Sequence, residues 1–122
     1  MPPRDGTVRV MLASTAITVA GNGDPIDCED YTEAVIYVVV TAKSGTSPTL
    51  DANIETSHNE TDWHHIADIP QVNDPTIPAS GRYVHAVYQL TNFGPFIRFQ
   101  YPAPGGSSTP SLTTEVRVAL KN

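Results

Sequence analysis

The sequence predicts an all-β fold, an antiparallel two-sheet β-sandwich of about eight strands with jelly-roll or Greek-key connections. Three observations predict it. Apolar and polar residues alternate with a period of two along most of the chain, and the helical spacing i, i+3, i+4, i+7 does not persist for three turns. The 11 prolines and 8 glycines of the 122 residues separate these alternating segments. Charged residues make up 16% of the chain, which excludes a coiled coil or a helical bundle.

The first strand is expected over residues 7–13. Val8, Val10 and Leu12 alternate there with polar or mixed neighbours, so these three side chains are expected on the apolar face. Ile17 and Val19 indicate a second short strand, which ends at the turn sequence of residues 21–25.

Residues 33–43 are expected to form a central strand, because the run from Ala34 to Val40 is apolar on both faces. Such a run belongs in the middle of a sheet that is covered on each side. Residues 44–48 are expected to turn the chain into an alternating strand over residues 49–57. A polar hairpin tip at residues 58–62 then leads to a short strand over residues 63–67.

Three more alternating segments complete the predicted strands: residues 82–91, 96–101 and 111–120, each bounded by Gly or Pro. Residues 45–50 also resemble residues 107–112, and each copy is expected to be a Ser/Thr-Pro turn before an alternating strand. Either an internal duplication or similar turn chemistry in two hairpins explains this repeat. Residues 1–6 are expected to form an extended N-terminal arm, and residues 7–122 a single β-sandwich domain.

Charge and cysteine content limit the partners and the compartment. The 13 acidic and 7 basic residues give a net charge of −6, which opposes binding to a phosphate backbone, so no nucleic acid partner is expected. No apolar run reaches the length of a membrane span, so no membrane partner is expected. The single cysteine, Cys28, favours folding in a reducing cytoplasm. A signal peptide over residues 11–20 is the alternative, and Asp5 and Ser14 disfavour it.

The sequence offers one local concentration of metal ligands, the histidines and carboxylates of residues 58–65. His64 and His65 are adjacent in a predicted strand and therefore point to opposite faces, which opposes a shared metal ion. An exposed polar hairpin without a metal is the expectation. Asp51 and Glu55 are expected on the exposed side of their strand as solvated charges.

The sequence also lacks the motifs of nucleophilic and phosphate chemistry, a Gly-x-Ser-x-Gly elbow or a glycine-rich phosphate loop. The carboxylates of Asp27 and Glu29 flank Cys28 and are expected to raise the pKa of its thiol, which makes the thiol unreactive. We therefore expect no catalytic residue, no metal, no cofactor and no enzymatic activity.

Trp63 follows the polar hairpin tip at the start of a predicted strand. Such an indole either packs across the hairpin or presents its ring to a sugar, as in β-sandwich carbohydrate-binding modules. The sequence leaves both interpretations open.

Three segments together resemble small β-sandwich proteins that are frequent among the structural genes of tailed bacteriophages. The segments are residues 50–57, the Asp-Trp hairpin of residues 62–67, and residues 89–99, which contain Gly94-Pro95-Phe96-Ile97-Arg98. The resemblance implies a capsid decoration, or cement, protein with a jelly-roll fold. Its expected partner is the major capsid protein, and its expected oligomeric form is a homotrimer. Its expected location is the capsid surface of the virion, after synthesis in the host cytoplasm.

The expected partner-binding residues lie at two places in the sequence. Pro2, Pro3 and Arg4 belong to the arm, which the two prolines stiffen, and Trp63 and His64 begin the strand after the hairpin tip. We expect the arm or a neighbouring edge strand to contact a capsid subunit or a sister copy by strand addition. The alternatives are a carbohydrate-binding or host-adhesion module of a phage fibre or tail, and a cupin-like metal enzyme that would need ordered histidines.

Overall fold

Two antiparallel sheets hold the strands of this protein, which confirms the predicted all-β class. The structure, a computed structural model, describes residues 6–73 and 83–122. These residues form ten strands and no helix, so none of their segments is a helix long and apolar enough to cross a membrane. The strands are β1 (Gly6–Ile17), β2 (Gly21–Asn22), β3 (Ile26–Asp27), β4 (Glu33–Leu50), β5 (Asn53–Ser57), β6 (Trp63–Asp68), β7 (Val72–Asn73), β8 (Tyr83–Leu90), β9 (Phe96–Tyr101) and β10 (Gly105–Lys121).

The strand order shows a nested pairing between early and late strands. In sheet 1, β1 pairs with β10, β10 pairs with β4, and both β7 and β8 pair with β4. In sheet 2, the order is β2-β9-β5-β6, and β3 also pairs with β9. The first strand therefore pairs with the last, and the β5–β6 hairpin is the innermost pair of this nested order.

One hydrophobic cluster receives side chains from both sheets. Alternate residues of each strand point to the same side, so β4 contributes Ile36 and Val38, while β5 and β9 contribute Ile54, Ile97 and Phe99. All five side chains are fully buried. The central position predicted for residues 33–43 is confirmed, because β10 and β8 pair with the two edges of β4.

The expected orientation of β1 is wrong at its first half. Val8 and Val10 are exposed, whereas Met11 and Leu12 are buried. The pairing of β1 with β10 shifts register between Val10 and Leu12. An inserted residue in a strand moves the following side chains to the other face, so the valines before the shift and Leu12 after it point to opposite sides of the sheet.

The turn expected at residues 44–48 is also wrong, because β4 continues through it to Leu50. Thr46 pairs with Ser107 and Thr49 pairs with Gly105, so the two copies of the internal repeat extend the strands that pair with each other. Gly45 has a φ of 86°, and a Cβ atom at this residue would lie 2.7 Å from the Cα of Pro110. Glycine is therefore required where these two segments approach each other.

The chain leaves sheet 1 at residues 51–52 and enters sheet 2 at Asn53, so the strand predicted over residues 49–57 is divided between two sheets. The predicted turn at residues 21–25 contains the two-residue strand β2. The hairpin tip at residues 58–62 and the strand over residues 96–101 are confirmed. Residues 1–5 of the predicted arm lie outside the described residues, and Gly6 begins β1.

Replacement of Val38 by alanine tests the core. Val38 is fully buried in β4, and the loss of two methyl groups together with the cavity left behind should lower the free energy of unfolding by about 2 kcal/mol. Urea denaturation measures this change. The same substitution at exposed Val19 is the control and should change stability by less than about 0.5 kcal/mol. Equal effects at the two valines would contradict the burial of Val38 between the two sheets.

Candidate binding surfaces

The outer face of sheet 2 is polar and carries a stacked tryptophan. Ser57 of β5 pairs with Trp63 of β6, which places the indole beside the strand that holds Glu55. The guanidinium of Arg98, on β9, lies over the Trp63 ring, 4.2 Å from its centroid. Such a cation–π contact holds the ring on the sheet. Trp63 therefore packs across neighbouring strands, and a guanidinium covers one face of its ring.

Glu55 holds Arg98 in this position. The Nε of Arg98 donates a hydrogen bond of 2.8 Å to Oε1 of Glu55, and the side chains are 21% and 18% exposed, respectively. The expectation that Glu55 is a solvated charge is wrong, because Glu55 and Arg98 face each other on adjacent strands. Partial burial strengthens such a charge-assisted bond relative to a surface pair. Asp51, the other carboxylate of that expectation, is exposed and accepts a hydrogen bond from Gln71.

Asn59 organises the hairpin tip between β5 and β6. Its Oδ1 accepts hydrogen bonds from the backbone N–H groups of Thr61 and Asp62, and its Nδ2 donates to Oδ2 of Asp62. The Oγ of Ser57 accepts from the backbone N–H groups of Asn59 and Glu60. The side chains of the tip therefore satisfy its backbone donors, as in other Asx-type turns.

The histidines of the hairpin are exposed and separate. His64 pairs with Thr56, and His65 pairs with Glu55, so adjacent residues of β6 point to opposite sides as expected. The Nε2 of His65 lies 3.0 Å from Oδ1 of Asp68. Within residues 6–73 and 83–122, no three His, Cys, Asp or Glu side chains are grouped as metal ligands would be.

Cys28 lies at a small pocket between the loop after β3 and the loop before β9. The pocket has a volume of about 240 Å³, and Tyr31, Phe93 and Pro95 are among its lining residues. Burial, followed by the negative charge of Asp27, raises the pKa of the Cys28 thiol to about 12. The predicted direction of the shift is confirmed, although burial contributes more than the flanking carboxylate does. The thiol is neutral at physiological pH, so it is a poor nucleophile.

In contrast to that of sheet 2, the outer face of sheet 1 carries exposed apolar side chains, together with Arg117 and Glu115. Val8, Val84 and Val87 are 62%, 54% and 59% exposed, and Val10 and Tyr37 are also exposed. The register aligns these residues across four adjacent strands, β1, β10, β4 and β8. We name this surface the valine face, and it consists of Val8, Val10, Val35, Tyr37, Val84, Val87 and Ala119.

A shallow groove of about 340 Å³ crosses one end of the valine face, between Val8, Val35 and Tyr37. Soluble monomers rarely leave large contiguous apolar patches exposed, and such patches mark sites of interaction. The sequence places an apolar run on both faces of β4 and predicts that both are covered. The core covers the inner face of β4. On the outer face of sheet 1, Val39 of β4 is also buried, whereas Tyr37 of β4 and the β8 residues Val84 and Val87 are exposed.

The structure thus separates the residues that the sequence marks for partner binding. Pro2, Pro3 and Arg4 lie outside the described residues. Trp63 lies against Arg98 on the outer face of sheet 2, and His64 is exposed on the neighbouring position of β6.

The roles of Arg98 and Glu55 were not predicted from the sequence, and Val8 and Val10 were expected on the same apolar face as Leu12. The alternation of β5 and β9 could have indicated the Glu55–Arg98 pair, because each strand carries a charged residue that faces the other strand. The outward valines of β1 have no equivalent signal, because a bulge and not the alternation decides their side.

Comparison with known proteins assigns no family to the chain. No protein-family model matches it, and no curated protein matches its sequence. Among solved structures, the SPBc2 prophage-derived protein YomS aligns with 100% of this chain and 97% of its own, at a TM-score of 0.47 and 13% sequence identity. This degree of likeness is too low to assign a function.

A double-mutant cycle tests the Glu55–Arg98 pair. We expect Glu55→Ala and Arg98→Ala to show a coupling free energy of about 1 to 2 kcal/mol, because the charge-assisted bond is partly buried. Chemical denaturation of the two single variants and the double variant measures it. The matched control is the Glu33–Lys121 pair, with a separation of 3.7 Å and side chains that are 33% exposed. Its coupling should be below about 0.5 kcal/mol, and equal couplings would contradict the assignment.

The raised pKa of Cys28 predicts a loss of stability at high pH. Below pH 9 the thiol is protonated in both the folded and the unfolded state. Above pH 9 the unfolded chain releases the proton, whereas the folded chain holds it until about pH 12. From pH 8 to pH 10 this linkage should lower the free energy of unfolding by about 1.4 kcal/mol. Denaturation at both pH values should show this extra loss for the wild type relative to Cys28→Ala, and identical pH dependences would refute the buried thiol.

Proposed function

We propose that this chain is a structural protein of a tailed-bacteriophage virion, a capsid decoration or cement protein that binds the outer surface of the shell. The valine face carries the proposal, because an exposed apolar sheet face marks a protein that acts through contact with other proteins. The resemblance of residues 50–57, 62–67 and 89–99 to phage structural proteins supports the same function.

The edge of β1 is the proposed contact with the major capsid protein. Among the described strands, β10 pairs with one edge of β1, and at its other edge the carbonyl of Met11 accepts a hydrogen bond from the N–H of Asp24. The backbone of residues 6–10, before Met11, is therefore the part of this edge to which a strand of a capsid subunit would add. Pro2, Pro3 and Arg4 immediately precede this segment and extend the contact.

The proposed mechanism is clamping without a chemical reaction. A copy that binds the assembled shell, and does not bind free capsid subunits, raises the free energy of shell disassembly by mass action. Copies that contact two neighbouring subunits gain further from the high effective concentration of the second contact. Attachment at the capsid surface after synthesis in the host cytoplasm, without contact with nucleic acid or membrane, belongs to the same proposal. The resemblance implies a homo-oligomer, with a trimer as the expected form.

We infer that the two-sheet arrangement is a jelly roll. In a jelly roll, a long antiparallel hairpin folds over so that the first strand pairs with the last and the pairing continues inward. β1 pairs with β10, β2 and β3 pair with β9, β4 pairs with β8, and β5 pairs with β6. This nested order supports the inference, and it places β1 at the edge of sheet 1 where a partner strand can add.

Glycan binding by a fibre or tail module is the alternative function. Arg98 covers one face of the Trp63 ring, so a sugar would have to stack on the opposite face. A glycan array probed with the wild type and with Trp63→Ala tests this alternative. Binding of the wild type that is lost in the variant would favour it over the decoration function.

Cosedimentation with purified empty heads of the phage that encodes the chain tests the decoration function. We expect the wild type to saturate the heads, and we expect deletion of residues 1–5 to weaken binding at least tenfold, because the deletion removes the part of the proposed contact that Pro2, Pro3 and Arg4 supply. Circular dichroism and the melting temperature confirm that the truncated chain is folded. Asn22→Ala, at an exposed residue of sheet 2, should bind as the wild type does. Failure of the wild type to bind, or full binding by the truncated chain, would overturn the proposal.

A further inference from the structure

The valine face consists of cross-strand rows that continue over four strands. One row contains Val8, Ala119, Val35 and Gln89, and the next contains Val10, Arg117, Tyr37 and Val87. A third row joins Glu115, Val39 and Val84. Residues in such rows are nearest neighbours on the face, so the exposed apolar side chains lie in adjacent rows, with Arg117 between Val10 and Tyr37.

The extent of this patch fits a protein contact. Four strands at a spacing of about 4.8 Å and seven residues of β10 at about 3.3 Å each cover roughly 19 by 23 Å, or about 440 Å². Two such faces in contact would cover about 880 Å² in total before the relief of the side chains is counted, against the roughly 1,000 Å² that a specific interface needs.

The charges within the patch are complementary to each other. Arg117 and Glu115 are two residues apart on β10, so both lie on the outer side of sheet 1. At the end of the face, Glu33 and Lys121 form an ion pair of 3.7 Å. These four side chains sum to zero charge, although the whole chain carries −6. Two copies that approach by this face therefore avoid the repulsion that their other surfaces exert.

We infer that the valine face binds the valine face of a second copy of this chain. In an isologous contact, each residue i meets residue j of the partner and each j meets i. When the two β10 strands cross in opposite directions, Arg117 of each copy meets Glu115 of the other. Tyr37 and Val87 lie in the same row as Arg117 and pack between the two sheets in the manner of face-to-face sheets, about 10 Å apart.

The self-complementarity of the face determines the form of the assembly. A patch that is complementary to itself closes around a two-fold axis and leaves no second copy of the patch exposed. A pair, and not the trimer that the sequence resemblance implies, follows from this geometry. The edge of β1 remains available to the shell, so pairing through the valine face stands whether or not the chain binds capsids.

Sedimentation equilibrium of the full chain over a range of concentrations tests the inference. We expect the wild type to have a mass twice that of one chain. Val87→Lys should weaken association at least tenfold, because it places a charge in the apolar centre of the interface. Asn22→Lys is the matched control, since Asn22 is an exposed strand residue on sheet 2, and it should leave association unchanged. Circular dichroism verifies the fold of each variant.

Charge reversal tests the proposed register. Arg117→Glu should weaken the pair at least tenfold, because it sets acidic side chains against each other. Glu115→Arg combined with Arg117→Glu should restore association to within threefold of the wild type.

A monomeric or trimeric wild type, or pairing unaffected by Val87→Lys, would overturn the inference. Failure of the double reversal to restore pairing would overturn the register. Head binding that fails while pairing persists would instead count against the capsid function.

Discussion

The antiparallel pairing of β4 with β10 is the constraint on which the rest of the structure depends. The two strands remain paired from Glu33–Lys121 at one end to Thr49–Gly105 at the other. β1 attaches to β10, and β7 and β8 attach to β4, so sheet 1 extends from this pair in both directions. Because side chains alternate across a strand, the same pair supplies buried valines to the core and Val35, Tyr37 and Ala119 to the valine face. Core and contact surface therefore share one backbone register.

The outer faces of the two sheets differ in polarity, so contact with water is favourable for the side chains of sheet 2 and unfavourable for the valines of sheet 1. On sheet 2, the charge of Arg98 is neutralised by Glu55 and stacked on Trp63, and the Nδ2 of Asn53 donates a hydrogen bond of 2.6 Å to Oε1 of Gln100. Polar groups that satisfy one another and contact solvent are stable at a surface. Valines have no such partner, and their burial is favourable by the area removed from water. The molecule therefore has two unlike outer faces, a polar one on sheet 2 and one with exposed valines on sheet 1.

This two-sided design suits a protein that acts by assembly. The low fraction of charged residues limits strong long-range attraction, and the net charge of −6 keeps unmatched surfaces of two copies apart. The proposed contacts then depend on shape and apolar area, which the valine face and the edge of β1 supply. Register shifts in β1 at Leu12 limit the regular part of that edge to its N-terminal half, because a bulge interrupts the row of backbone groups that a partner strand would pair with.

The sequence by itself determined the elements with purely local causes. The alternation of residues 96–101 fixed β9, the polar residues 58–62 fixed a hairpin tip, and the two-faced apolar run of residues 33–43 fixed the central strand. These features follow from side-chain period and turn chemistry, which neighbouring residues decide.

Only the tertiary structure decided whether a given face of an alternating strand lies in the core or in solvent. The sequence shows that Val8 and Val10 share a face, but the register shift before Leu12 places that face in solvent. It shows a repeated Ser/Thr-Pro segment, but pairing between Thr46 and Ser107 makes the two copies strand and not turn. It shows Trp63 at a hairpin, but Arg98, far along the chain, covers the ring. In each case the deciding contact joins residues distant in sequence, so no local pattern of side chains encodes it.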